Sequence, residues 1–169
     1  MPDTFIKIAS VTVGAGGASS IAFTSIPSTY TDLCVKISAR SSRSAAGDDF
    51  FMTLNGSSSS FTYKQLYGFS GGAGSASGTS GYVGNIPASS ATASTFGSQE
   101  LYFPNYASSA NKSISIDSAL ENNSSTDWQL DLFAELWSNT SAITSISLTP
   151  GIDNFVQYST ATLYGIKNS

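Results

Sequence analysis

Eleven acidic residues, seven basic ones, a single cysteine and no histidine bound what these 169 residues can do chemically. Without histidine, the Ser–His–Asp and Cys–His nucleophile systems and most zinc sites are out of reach. One thiol, Cys34, can form neither an intrachain disulfide nor a thiolate cluster. It lies in the apolar run Leu33-Cys34-Val35-Lys36-Ile37, has no imidazole to activate it, and reads as a small buried hydrophobe. No GxxxxGK[ST] phosphate loop and no D-x-[DN]-x-[DN]-G calcium loop occurs. The glycines near Gly14 and Gly71 lack the strand-to-helix setting that would make them a nucleotide cradle.

Carboxylate chemistry is the class left open. A glycosidase needs two carboxyls about 5–9.5 Å apart. Asp131 and Glu135 share one face of an extended segment, but four residues of strand separate them by about 13–14 Å. Asp117 and Glu121 have the same spacing, and the adjacent Asp48 and Asp49 point to opposite faces. The expectation is a non-enzymatic protein with no catalytic residue, no cofactor and no metal. The basic residues are scattered, so no stripe can follow a phosphate backbone, and no nucleic-acid partner is expected. Arg40 and Arg43, the densest basic pair, read as a solvated loop beside Asp48 and Asp49.

The elements that must position these residues are strands. A period of two dominates, and no helical stripe appears. Strand-like segments are Phe5–Val13, Ile21–Phe23, Tyr30–Arg40, Phe50–Leu54, Phe61–Tyr67, Gln99–Phe103, Ser113–Leu120, Asp127–Trp137, Ile143–Leu148 and Phe155–Ile166. Asn55-Gly56, a strong hairpin dipeptide, predicts that Phe50–Leu54 pairs with Phe61–Tyr67. Nine or ten short strands with Gly, Asn and Ser turns predict a single all-β domain over 1–169, an antiparallel β-sandwich of jelly-roll-like form. Gly68 to Gly84 is Gly-, Ser- and Ala-rich and predicts a long exposed loop, ordered only by neighbouring chains. Ser89 to Ser98 is a second weak stretch.

Asp127 to Trp137 has the strongest pattern. Trp128, Leu130, Leu132, Ala134 and Leu136 fall on one face and predict the core stripe. Phe133 and Trp137 fall on the other, interleaved with Asp131 and Glu135. They fit a second packed layer, a subunit interface or, for an exposed tryptophan, sugar stacking.

Charged residues make up 11% of the chain, against about 25% in ordinary globular domains. Ser, Thr, Asn and Gly replace them, a surface that favours extracellular or virion surroundings over those of the usual cytosolic enzyme. Met1-Pro2-Asp3-Thr4 has no basic, apolar signal-peptide pattern, and no apolar run reaches the roughly 18 residues that span a bilayer. No membrane partner is expected.

Ala18-Ser19-Ser20-Ile21-Ala22-Phe23-Thr24-Ser25-Ile26-Pro27-Ser28-Thr29-Tyr30-Thr31-Asp32-Leu33 resembles an N-terminal segment of small structural proteins of tailed bacteriophages, many of them cyanophages. Phe155-Val156-Gln157-Tyr158-Ser159-Thr160-Ala161-Thr162-Leu163-Tyr164-Gly165-Ile166-Lys167 resembles the closing strand of the same proteins. The Leu54-Asn55-Gly56 turn also fits them. The resemblance implies a virion-associated β-sandwich, assembled in the host cytoplasm beside other virion proteins, major capsid or tail proteins. It carries over no functional residue. No coiled-coil shaft precedes Phe5, which favours a capsid decoration or cement protein over the alternative, a tail-fibre or baseplate adhesin binding host glycan. A homo-oligomer is expected, and a trimer fits the three-fold symmetry common to both placements.

Overall fold

The structure, a computed structural model, describes residues 4–124 and 128–167. Met1, Pro2 and Asp3 of the segment read as lacking a signal-peptide pattern, and Asp127 of the expected strand, lie outside the described residues. Twelve strands are formed: β1 Phe5–Thr12, β2 Ile21–Phe23, β3 Asp32–Ala39, β4 Gly47–Leu54, β5 Phe61–Phe69, β6 Gly72–Gly78, β7 Tyr82–Pro87, β8 Gly97–Phe103, β9 Lys112–Leu120, β10 Gln129–Trp137, β11 Ile146–Pro150 and β12 Thr160–Ile166. No helix occurs among the described residues.

All pairings are antiparallel, and they build an eight-stranded sheet, β1-β12-β3-β8-β9-β10-β5-β6, and a four-stranded sheet, β2-β11-β4-β7. The core lies between them. Leu33, Val35, Leu101, Phe103, Ile116 and Leu163 from the large sheet meet Phe50, Met52, Leu54, Val83, Ile86 and Leu148 from the small one. In β4, β8, β9, β11 and β12 these residues alternate with less buried ones, the period expected of strands buried on one face. Cys34 is fully buried, as its apolar neighbours predict, and burial pushes its thiol up to about 11.

Three expectations are corrected here. The strand count is twelve because β6 forms, and β7 begins, inside the segment read as a loop. β6 is seven residues of Gly, Ala and Ser paired in unbroken register with β5. Side chains on β5 supply the packing that β6 lacks: the ring of Tyr67 stands where a Cβ on Gly74 would lie, and that of Tyr63 where one on Gly78 would lie. Covering edge glycines with cross-strand aromatics is a known means of stabilising such a strand.

The second correction concerns Asn55-Gly56. Both residues have positive φ, 52° and 75°, the conformation of a tight primed turn. Yet β4 and β5 do not pair, because they belong to different sheets. The Asn55 side chain binds the start of β11 instead, accepting from the backbone N–H groups of Thr144 and Ser145 and donating to the carbonyl of Ala142. That fastens β4 to β11.

The third is Arg40, which is buried and not solvated. Its guanidinium donates to the carbonyls of Ser89, Ala91, Thr92 and Thr95, all within 3.3 Å, and so staples the weak 89–98 stretch to the sandwich. Arg43 does pair with Asp48, at 3.3 Å.

Candidate functional site

The strand β10 carries the candidate site residues, and its facing is the reverse of the expected one. Phe133 and Trp137 are each 1% exposed, whereas Leu130 is 59%, Leu132 49% and Leu136 36% exposed. The sandwich interior therefore holds Phe133 and Trp137, the second-packed-layer option among the sequence readings. Within this chain neither residue reaches a surface at which a subunit or a sugar could touch it.

The cause is cross-strand register. Opposed residues on neighbouring strands face the same side, and a one-residue slip would reverse every side chain. In β9, Ile114 and Ile116 alternate with Ser113 and Ser115, so its apolar face is unambiguous. Phe133 pairs with Ile116 and Glu135 with Ile114, which turns both inward. Aromatic rings repay that choice: Phe133 meets Tyr63 and Tyr82 edge-on at 5.7 and 5.5 Å, and Trp137 stacks on Phe61.

Two carboxylates go inside with them. Asp131 accepts from Gln65 Nε2 at 2.6 Å and Gln129 Nε2 at 2.8 Å. Burial raises its pKa while these two bonds oppose the rise. Glu135 is 1% exposed, both its oxygens lack a hydrogen-bond partner, and burial pushes it up to about 9. It is a neutral acid at pH 7. Asp131 and Glu135 therefore do not form a carboxylate pair facing a substrate.

Two surface features remain, and the sequence reading located neither. The first is the outward face of the large sheet. Leu130, Leu132, Ala134 and Leu136 run along β10, and Leu66 on β5 stands directly opposite Leu132. A groove of about 880 Å³ crosses this face between β6 and Pro104. Its signal in the sequence is the leucine stripe, whose pattern alone fits a core face equally well.

The second is a cleft where the small sheet ends. β7 is its edge, and β5 and β6 extend past it, leaving part of their inner face uncovered. Gln65, Tyr67, Phe69, Tyr82 and Gln129 line a cavity of about 230 Å³ there. Across the Phe69–Gln129 pair, a second cavity of about 250 Å³ is bounded by Asn85, Leu120 and Trp128. The amide of Asn85 lies 2.7 Å from that of Gln129 and 3.0 Å from the Tyr82 hydroxyl. Tyr82 is held among Phe51, Tyr63 and Phe133, and burial beside Asp49 and Asp131 raises its pKa. These residues come from β5, β7 and β10, so no local motif announces the cleft.

Among the described residues, no group of three or more His, Cys, Asp or Glu is placed to hold a metal ion. No helix there is long and apolar enough to cross a membrane.

No family model matches the chain, and no curated protein matches it. Among solved structures, it is similar to β-fructofuranosidase from Schwanniomyces occidentalis complexed with fructosyl-erythritol, at 11% identity and a TM-score of 0.29 over 99% of this chain and 35% of that one. A variant of the same enzyme complexed with fructosylnystose gives 11% identity and a TM-score of 0.28 over the same shares. The chain thus spans about a third of the length of those enzymes. At such TM-scores the likeness carries no argument about this chain's fold or activity, and it assigns the chain to no family.

Proposed function

We propose that this chain is a non-enzymatic structural protein of a bacteriophage particle, a jelly-roll-like decoration or cement protein seated on the outer capsid surface. The observation that carries a docking role is the exposed leucine stripe on β10 with Leu66 beside it. A contiguous apolar patch on a sheet face is unfavourable in water and marks a contact surface. Sheet edges support the same reading. β1 carries Lys7 and a bulge, β2 has three residues, and β7 has an irregular register and ends in Pro87. Such features keep other strands from adding to an edge. β6 has no charge, no proline and no bulge, which leaves its edge open to a neighbouring strand.

The phage assignment itself rests on the resemblance of the two end segments. Many copies on one particle would let modest contacts hold through effective concentration. Particles assembled without this chain test the proposal. They should lose capsid survival on heating and adsorb to host cells normally. Unchanged survival with lost adsorption would support the second reading, a tail-fibre or baseplate adhesin, which draws on the aromatic and amide cleft beside β7.

A further inference from the structure

We infer that the cleft beside β7 is a binding site for a short neutral saccharide, with one sugar ring on each side of the Phe69–Gln129 pair. Four observations carry this.

The first is the lining. Tyr67, Phe69 and Tyr82 offer ring surface to the apolar C–H face of a pyranose, and Trp128, whose ring also packs on Gly68, borders the other side. Gln65, Gln129 and Asn85 supply amides among the rings. An amide carries two donors and an acceptor, so each can meet hydroxyls that both donate and accept.

The second is rigidity. The Asp131 carboxylate is buried and takes one N–H from Gln65 and one from Gln129. It fixes both amides before any ligand arrives and leaves each with hydrogen-bonding capacity to spare. Tyr67 lies over Gly74, whose missing side chain leaves the space that its ring fills. A polar site held in place by its own network loses little freedom on binding.

The third is size. Cavities of about 230 and 250 Å³ each fall below the roughly 300–1,000 Å³ of sites for drug-sized ligands. Two small depressions that share Phe69 and Gln129 suit two linked rings better than one large rigid ligand.

The fourth is charge. No Lys or Arg lines either cavity, and the carboxylates of Asp131 and Asp49 lie close to the lining residue Tyr82. Phosphates, uronic acids and nucleotides would meet these without compensation.

The site does not depend on where the chain sits in a particle, and of its lining residues Trp128 alone adjoins the leucine face. Its test is independent of the function proposed above. Isotope-labelled protein is titrated with maltose, cellobiose, lactose and mannobiose, and in parallel with glucuronate and AMP, while its amide spectrum is followed. At least one neutral disaccharide should give saturable shifts in the side-chain amides of Gln65 and Gln129, with dissociation constants of about 0.1–10 mM. Phe69→Ala and Trp128→Ala, both at partly exposed positions, should each weaken binding about tenfold or more while leaving the rest of the spectrum in place. Leu132→Ser on the opposite face should bind like the unaltered protein. Absence of shifts with all four disaccharides overturns the inference. So do equal shifts with glucuronate or AMP, or binding that survives both aromatic replacements.

Discussion

Tyr67 and Gly74 stand opposite each other on β5 and β6, and the tyrosine ring fills the space a side chain on the glycine would need. This contact gives a glycine-rich edge strand packing and seats the ring that faces the cleft. The conflict in a Gly74→Val variant is with the far end of a flexible side chain, so Tyr67 can swing away. Stability should change by less than about 1 kcal/mol, while the Tyr67 ring resonances move. Gly84 contrasts with it. Its φ is 107°, and a Cβ there would stand 2.4 Å from Ser118 Oγ and 3.0 Å from Asp131 Oδ2. Backbone strain and overpacking each cost about 1–3 kcal/mol, so Gly84→Ala should lose about 2–4 kcal/mol in urea unfolding.

Leu132 and Phe133 are neighbours in sequence with opposite fates. Leu132→Lys should leave the unfolding free energy within about 0.5 kcal/mol of the original, as expected for a surface position. Phe133→Ala should cost about 3–5 kcal/mol through the cavity it opens among Tyr63, Tyr82 and Ile116. Two denaturant curves decide the facing of β10, and equal losses would contradict it.

Glu135 makes stability depend on pH. Its carboxyl is raised from 4.5 to about 9 in the folded chain. Between these values the folded state keeps a proton that the unfolded state releases, so stability falls as pH rises, at up to about 1.4 kcal/mol per pH unit. Below the lower value both states are protonated, and this penalty is absent. Glu135→Gln cannot ionise. It should flatten the slope and gain about 1–3 kcal/mol at pH 7. Urea midpoints measured from pH 5 to 9 check this, and parallel slopes for the two proteins would contradict it.

Arg40 holds the loop between β7 and β8 through four backbone carbonyls. Arg40→Met keeps much of the aliphatic bulk and removes the donors; the Thr92 carbonyl keeps its bonds from Thr95, while those of Ser89, Ala91 and Thr95 lose the guanidinium, at a cost of about 2–3 kcal/mol. Hydrogen exchange should accelerate over residues 88–96 well before the strands. Unchanged protection there would show that the loop is ordered by something else.

The legible and illegible parts of this chain differ for physical reasons. In β9, serine and isoleucine alternate, so one strand alone reveals its buried face. In β10 both faces are apolar enough to be core, and only pairing with β9 decides between them. The aromatic face prevails although it must take Asp131 and Glu135 inside, one tied to glutamines and the other neutral. β6 was hidden because its packing comes from Tyr63 and Tyr67 on another strand. Asn55-Gly56 did make its tight turn, but a turn dipeptide does not say which strands will pair. Arg40 read as solvated because its partners are carbonyls about 50 residues away. The cleft joins β5, β7 and β10, and nothing local in the sequence brings those three together.

The proposal that the leucine face docks this chain onto a capsid is tested most directly by a reconstruction of the particle at side-chain resolution. It should show many copies on the outer capsid lattice, with Leu66, Leu130 and Leu132 covered by a neighbouring virion protein. Copies confined to the tail, or capsid-bound copies with those leucines facing solvent, would contradict it.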